Sequence, residues 1–125
     1  MNPEINCLTE QIIGAAIEVH RILGPGLLES AYQRALAHEM TLRGIAFEEQ
    51  KLCPIKYKDL LIEDAYRLDY LVRGVVVVEI KAIDSLLEVH DSQLLTYLKF
   101  SGCRVGLLMN FRSTILTRGL RRLAL

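Results

Sequence analysis

With 125 residues, 51% of them hydrophobic, the chain has enough apolar side chain for one folded core and too much for intrinsic disorder. Its 15 Lys and Arg balance its 15 Asp and Glu, which excludes a protein that coats nucleic acid by bulk charge but not an enzyme that touches a few phosphates. No apolar run reaches the roughly 20 residues of a membrane-spanning helix, no basic-then-apolar leader opens the chain, and Cys7, Cys53 and Cys103 are too scattered for metal-site spacing; the expectation is a single cytoplasmic domain over residues 1–125 with reduced, half-buried thiols.

The first helix is predicted over Asn6–Leu23, where Leu8, Ile12, Ala15, Ala16, Val19 and Leu23 recur at three- and four-residue spacing. Gly24-Pro25-Gly26 stops it. A second helix is predicted from about Gly26 to Arg43, with Leu28, Ala31, Ala35, Leu36 and Met40 as its apolar positions and Gly44 as its C-terminal cap. The period then shortens to two. Ile45–Gln50 and Leu52–Tyr57 read as strand segments, and Pro54, which cannot donate to a ladder, marks the latter as edge or bulged. Lys58-Asp59 reads as a turn, Ile62–Val72 as a longer strand, and Val75–Ala82 as the next. Glu88–Ser101 is helical, with Val89, Leu94, Leu95 and Leu98 on its core face and Gly102 as its stop. Arg104–Met109 is a short strand, and Asn110–Leu125 suits a helical turn, a final strand, or both. This order describes a mixed α/β domain, an antiparallel meander followed by a helical crossover to a further strand. Arg112, Arg118, Arg121 and Arg122 crowd the tail and read as a solvated basic edge.

The most informative segment is Val75-Val-Val-Val-Glu-Ile-Lys-Ala82. Four valines describe a strand buried on both faces. Glu79 and Lys81, two apart, leave it on the same face. Burying both charges is costly unless they pair or meet a metal. Asp69 lies across a hairpin from them. A two-residue loop at Arg73-Gly74 would set Asp69 opposite Val78, on the wrong face. A three-residue loop, Val72-Arg73-Gly74, would set Asp69 opposite Val77 and put Asp69, Glu79 and Lys81 on one face. Gly74 suits the left-handed position of such a loop, so the three-residue form is predicted. Two carboxylates on adjacent strands can hold one or two divalent cations, and a lysine beside them can orient a water or neutralise charge on phosphorus. The plainer reading of the three residues is a cross-strand ion pair.

The next helix places Gln93 and Tyr97 one turn apart on one face, where they could lie over the end of the sheet and hold a phosphate or water. Gly26, Glu29 and Tyr32 are predicted along one face of the second helix. In that arrangement Gly26 permits close backbone approach, Glu29 presents a carboxylate and Tyr32 adds a polar ring. Glu29 also suits the positive end of the helix dipole. His20 could join Glu29 at a metal or cap the end of its own helix, and capping is the more ordinary role. His90 is read as a helix-start residue.

Gly26-x-x-Glu29-x-x-Tyr32 resembles the defining motif of the GxxExxY proteins, a family of the PD-(D/E)XK nuclease-like superfamily. The resemblance runs from His20-Arg-x-Leu-Gly-Pro-Gly to Gly106-Leu-Leu-Met-Asn-Phe111. Asp69 looks like the superfamily's first acidic residue, with Leu68 where a proline is common. Glu79-Ile80-Lys81 looks like its (D/E)-x-K element, and Gln93-Leu-Leu-Thr-Tyr97 is similar to the Q-x-x-x-Y helix of RecB-like exonuclease domains. The resemblance implies a restriction-endonuclease-like α/β core, with helices flanking a four- to five-stranded mixed sheet. It implies a Mg²⁺- or Mn²⁺-dependent nuclease acting on DNA or, less favoured, RNA. Asp69, Glu79 and the Ile80 main-chain carbonyl would hold the metal with support from Glu29, Lys81 would assist the attacking water, and Gln93 and Tyr97 would position substrate. The alternatives are a non-catalytic nucleic-acid- or protein-binding module on the same fold, or one subunit of a homodimer or of a larger complex.

Overall fold

The structure, a computed structural model, describes residues 2–125. Two helices, α1 (Pro3–Leu23) and α2 (Glu29–Leu42), precede three strands, β1 (Phe47–Tyr57), β2 (Leu60–Val72) and β3 (Val76–Lys81). Helix α3 (Glu88–Ser101) then crosses to β4 (Val105–Asn110), and a 3-10 turn (Leu116–Gly119) leads into β5 (Leu120–Ala124). The five strands lie in chain order, β1-β2-β3-β4-β5. All neighbours are antiparallel except β3 and β4, which are parallel across the α3 crossover. The expected α/β architecture, helices flanking a mixed sheet, is therefore present. No helix among the described residues is long and apolar enough to cross a membrane.

Alternation along β3 sets the layering. Val76, Val78 and Ile80 enter a core with Ile12, Ala16 and Val19 of α1 and with Leu36 and Met40 of α2. Val77 enters a second core on the other face, under Leu94 and Leu98 of α3. Every residue from Val76 to Ile80 is buried, as a strand covered on both sides requires. Gly106 on β4 lets α3 come close. A Cβ there would stand 2.8 Å from the Leu94 Cδ1.

Several predicted boundaries move. Helix α1 begins at Pro3, with the Asn2 side chain accepting from the Glu4 and Ile5 N–H groups. Helix α2 begins only at Glu29, so Gly26 precedes it rather than lying on its face. A Cβ on Gly26 would meet nothing within 4 Å, so no close backbone approach explains it. Tyr32 is fully buried, stacked on Phe111 at 4.8 Å, and its hydroxyl donates to the Gly24 carbonyl and accepts from the Leu27 N–H. Its work is to tie down the turn before α2. Val89, expected in the core, is exposed, while Leu94 and Leu98 carry the α3 contact. The two segments predicted on either side of Lys51 form one edge strand. Its Gln50 takes a left-handed φ of 54°, and its register slips at Pro54. The tail supplies both of its offered elements. The thiols are free, but Cys7 is exposed and the other two are buried. The tail arginines are largely engaged: Arg112 holds Asp84 at 3.3 Å, Arg121 holds Asp91, and Arg122 donates to Asn6 at 2.8 Å.

Because α3 sits on Gly106, Gly106→Val should force Leu94 out of its place and cost about 1–3 kcal/mol of stability, read as a lower urea midpoint with an unchanged slope.

Candidate active site

The β2–β3 hairpin has the predicted loop length at a shifted place. Arg73 and Gly74 both take left-handed φ values, 50° and 71°, and the Val75 N–H donates to the Val72 carbonyl at 3.0 Å. Val75 is the extra residue, and the ladder begins at Val72–Val76, followed by Leu71–Val77 and Tyr70–Val78. The parity of the prediction survives but its partner does not. Continuing the register sets Asp69 opposite Glu79, where Val77 was expected.

The ladder stops at this pair. In place of further backbone bonds, the Ile80 N–H donates to Asp69 Oδ2 at 2.8 Å and the Asp69 N–H donates to Glu79 Oε1 at 3.4 Å. Each carboxylate thus stands in for a ladder carbonyl. The cause is a wrench in β2. Leu68 packs in the α3-side core and Tyr70, two residues on, packs in the α1–α2 core, although an unbroken strand would put both on one face. Gln50 on β1, with its left-handed φ, lies where it would pair with Asp69 and does not. The strands part here, and the Ile80 carbonyl leaves the strand on the same edge as its N–H, toward Asp69.

Burial and crowding dominate the electrostatics. Glu79 is 5% exposed. Its carboxyl is pushed up to about 9, first by burial and then by the Asp69 charge and a hydrogen bond from carboxyl to carboxyl. The Asp69 N–H and the Lys81 ammonium oppose the shift without cancelling it. At neutral pH Glu79 therefore keeps its proton. Glu29, at the first position of α2, is also raised, first by burial and then by the Asp69 charge, against the pull of Lys81 and the Ala82 N–H. Tyr97 is raised by burial and then by Glu79 and Asp69. Glu29, Asp69, Glu79, Lys81 and Tyr97 thus share one electrostatic neighbourhood. Gln93, one turn before Tyr97, is exposed. The ion pairs within 4.0 Å among the described residues all lie elsewhere, so Lys81 is not held in the cross-strand pair that the sequence also allowed.

His20 and His90 are engaged away from this group. His20 sets Nε2 2.7 Å from the Ser113 carbonyl and tilts against Phe111, tying α1 to the tail. His90 Nδ1 accepts from the Leu87 N–H at 2.9 Å and closes the first turn of α3. Among the described residues no three His, Cys, Asp or Glu side chains gather as a metal cage.

Sequence reasoning missed three supporting residues. Tyr66 stacks on Tyr97 with centroids 5.0 Å apart and fixes that ring beside the acidic pair. Its signal was only its place three residues before Asp69. Asn110, opposite Lys81 in the β3–β4 register, is buried and bonds both the N–H and the carbonyl of Ile83, at 3.1 and 2.9 Å. It fixes the segment that leaves Lys81, and an asparagine ending a fully apolar strand was its signal. Arg121 pairs with Leu108, which pairs with Glu79. Asp69, Glu79, Leu108 and Arg121 therefore form one row across one face of the sheet, with a cation at its far end.

The raised Glu79 value has a definite consequence for stability. A carboxyl whose folded value lies above its ordinary 4.5 stabilises the fold fully below 4.5, and that contribution is lost as pH rises through about 9. In EDTA the melting temperature should fall between about pH 5 and pH 9. Glu79→Gln, which mimics the protonated carboxyl, should flatten the fall and be the more stable form at the alkaline end. Parallel wild-type and variant curves by differential scanning calorimetry would contradict a protonated Glu79.

The sequence pattern of the PD-(D/E)XK nuclease superfamily matches residues 6–123. No curated protein and no solved structure matches the chain. The match spans β1 to β4, α2, α3 and β5 up to Leu123, and the mixed sheet with flanking helices is the restriction-endonuclease-like arrangement. The chain belongs to the PD-(D/E)XK nuclease superfamily.

Proposed function

We propose that the chain is a small metal-dependent nuclease of the GxxExxY kind, hydrolysing phosphodiester bonds in DNA and, less favoured, in RNA. The observation that carries the reading is the Asp69–Glu79 pair. Two carboxylates are pressed together on adjacent strands, so that Glu79 titrates near 9, while a lysine on the same face has no ion-pair partner within 4.0 Å among the described residues.

The residues suit a hard divalent cation. Mg²⁺ takes one or two carboxylates and fills its remaining positions with water and substrate phosphate, so two side chains and a carbonyl are enough. Asp69, Glu79 and the Ile80 carbonyl would hold it, with Glu29 as a more distant negative charge. When bound, Mg²⁺ or Mn²⁺ would polarise the scissile phosphate and make a bound water more acidic. Both carboxylates must be ionised to serve as ligands, so binding would displace the proton that Glu79 carries. Lys81, on the face of Glu79, would orient the attacking water and offset negative charge developing on phosphorus. Tyr97, steadied by Tyr66, would donate its phenol proton to a phosphate oxygen. Gln93, exposed one turn away, would hold the next part of the strand. Asn110 would keep the backbone after Lys81 from drifting.

Cleavage of single- and double-stranded DNA and RNA, measured with Mg²⁺, Mn²⁺ or EDTA, tests this. Metal-dependent cleavage should drop by at least about 100-fold in Glu79→Ala and in Lys81→Ala. Tyr66→Ala should lower kcat more than it raises KM. Nucleic-acid binding without cleavage under every condition would replace the nuclease by a binding module on the same fold, and cleavage surviving both alanine variants would belong to a contaminant.

A further inference from the structure

Helix α2 carries a polar group that the fold does not use. Gln33 follows Glu29 by one turn, so the two share a flank of the helix. Its side chain is half-buried, and its Nε2 is enclosed with no hydrogen-bond partner among the described residues. Enclosed polar atoms are nearly always paired. A carboxamide has two N–H donors, and shutting them away from water without an acceptor costs stability. A methionine would fill the same space without that cost.

The neighbours of Gln33 place it beside the acidic pair. The Tyr70 hydroxyl donates to the Gln33 main-chain carbonyl, and Tyr70 directly follows Asp69. That bond fastens α2 at Gln33 to β2 next to the point where β2 and β3 part. Burial, then the Glu49 and Asp69 charges, hold the Tyr70 hydroxyl above its ordinary value. Burial and then the Asp69 charge raise Glu29. Gln33 thus lies between two groups that both feel Asp69. Long side chains on a helix lean toward its N-terminus, so the amide leans from the Tyr70 anchor toward Glu29, along the α2 side of the pair. Asp69 has acceptor capacity to spare. A carboxylate offers about four acceptor sites, and the Ile80 N–H and the Glu79 carboxyl engage Asp69 so far.

We propose that Gln33 is a positioning residue of the cation site: with a divalent cation on the acidic pair, its Nε2 donates to the Asp69 carboxylate and fixes which oxygen faces the ion. The inference rests on the metal-dependent reading of that pair. With both carboxylates turned to an ion, the bond between them is gone, and Asp69 offers the acceptor that Gln33 lacks. A ligating carboxylate that is free to turn holds its ion loosely. A hydrogen bond to its other oxygen removes that freedom, and outer bonds of this kind are worth about 10- to 100-fold in metal affinity. The unpaired amide is then stability that the free protein forgoes for the sake of the loaded site.

Gln33→Met keeps the length of the side chain and loses the donor. In EDTA its melting temperature should rise by a few degrees, because an unpaired enclosed donor is gone. Its affinity for Mn²⁺, read by electron paramagnetic resonance of the free ion during titration with protein, should fall by at least about tenfold. Gln33→Leu, also without a donor, should behave the same way. A purely structural glutamine would not move the two measurements in opposite directions. Mn²⁺ affinity equal to that of the wild type in both variants would overturn the proposal and leave the metal site standing. Variants less stable than the wild type in EDTA would overturn it too, since the amide would then already have a partner. A wild type that binds no Mn²⁺ would sink the metal-dependent reading and this proposal together.

Discussion

Where the β2–β3 ladder ends, two carboxylates have to share the space that one backbone hydrogen-bonded pair would fill. Neither can leave. Glu79 lies within a strand whose apolar residues are locked into cores on both sides, and the Asp69 side chain is held by the Ile80 N–H. Burial first, and the Asp69 charge second, disfavour an ionised Glu79, and its raised value expresses that as a retained proton. The strand is rigid because it is apolar, and its rigidity keeps the acidic pair from relaxing apart. A looser sheet would let the carboxylates separate into water.

The other elements can be understood by how they bear on that end of the sheet. The Tyr32 hydroxyl binds the turn before α2, and that turn sets where Glu29 begins the helix. Gly106 lowers α3 onto the sheet, and the Tyr66 ring then fixes Tyr97 beside the acids. Asn110 clamps Ile83 just beyond Lys81. Each of these is a bond or contact of ordinary strength. Together they bring groups from α2, β2, β3 and α3 to one edge, while the arginines of the tail tie down the segment after β3 through Asp84, α3 through Asp91 and α1 through Asn6.

The sequence made some of this legible and hid the rest for physical reasons. Helices α1 and α3 and strand β3 could be read because burial imposes a period on them. That Asp69, Glu79 and Lys81 share a face followed from parity alone, and parity is unchanged when a hairpin shifts by two. Which residue stands opposite Asp69 depended on whether Val72 or Val75 is the third loop residue, and a local turn signal does not decide that. The roles given to Gly26 and Tyr32 failed because spacing alone cannot say where a helix starts. Placing both on α2 assumed a start three residues too early, and Tyr32 proved to be an internal strut. The arginine cluster is the solvated edge that was expected, but the partners it holds could not be read for a related reason. Its acidic partners at residues 84 and 91 are distant in sequence, and a single sequence does not display such pairs.

Zero net charge has a structural meaning for a member of a nuclease superfamily. Balanced charge could mean that attraction for phosphate has been given up everywhere, or that the charges are sorted by place. The second holds. Acidic groups are concentrated at the edge where β2 and β3 part, and most of the tail's basic groups are spent on internal bonds. A polyanion approaching the acidic edge would, on the nuclease reading, be repelled until a divalent cation bound there. On the nuclease reading, affinity for substrate and competence to cleave it then depend on the same ion, and a small domain needs no separate basic clamp to bring the two together.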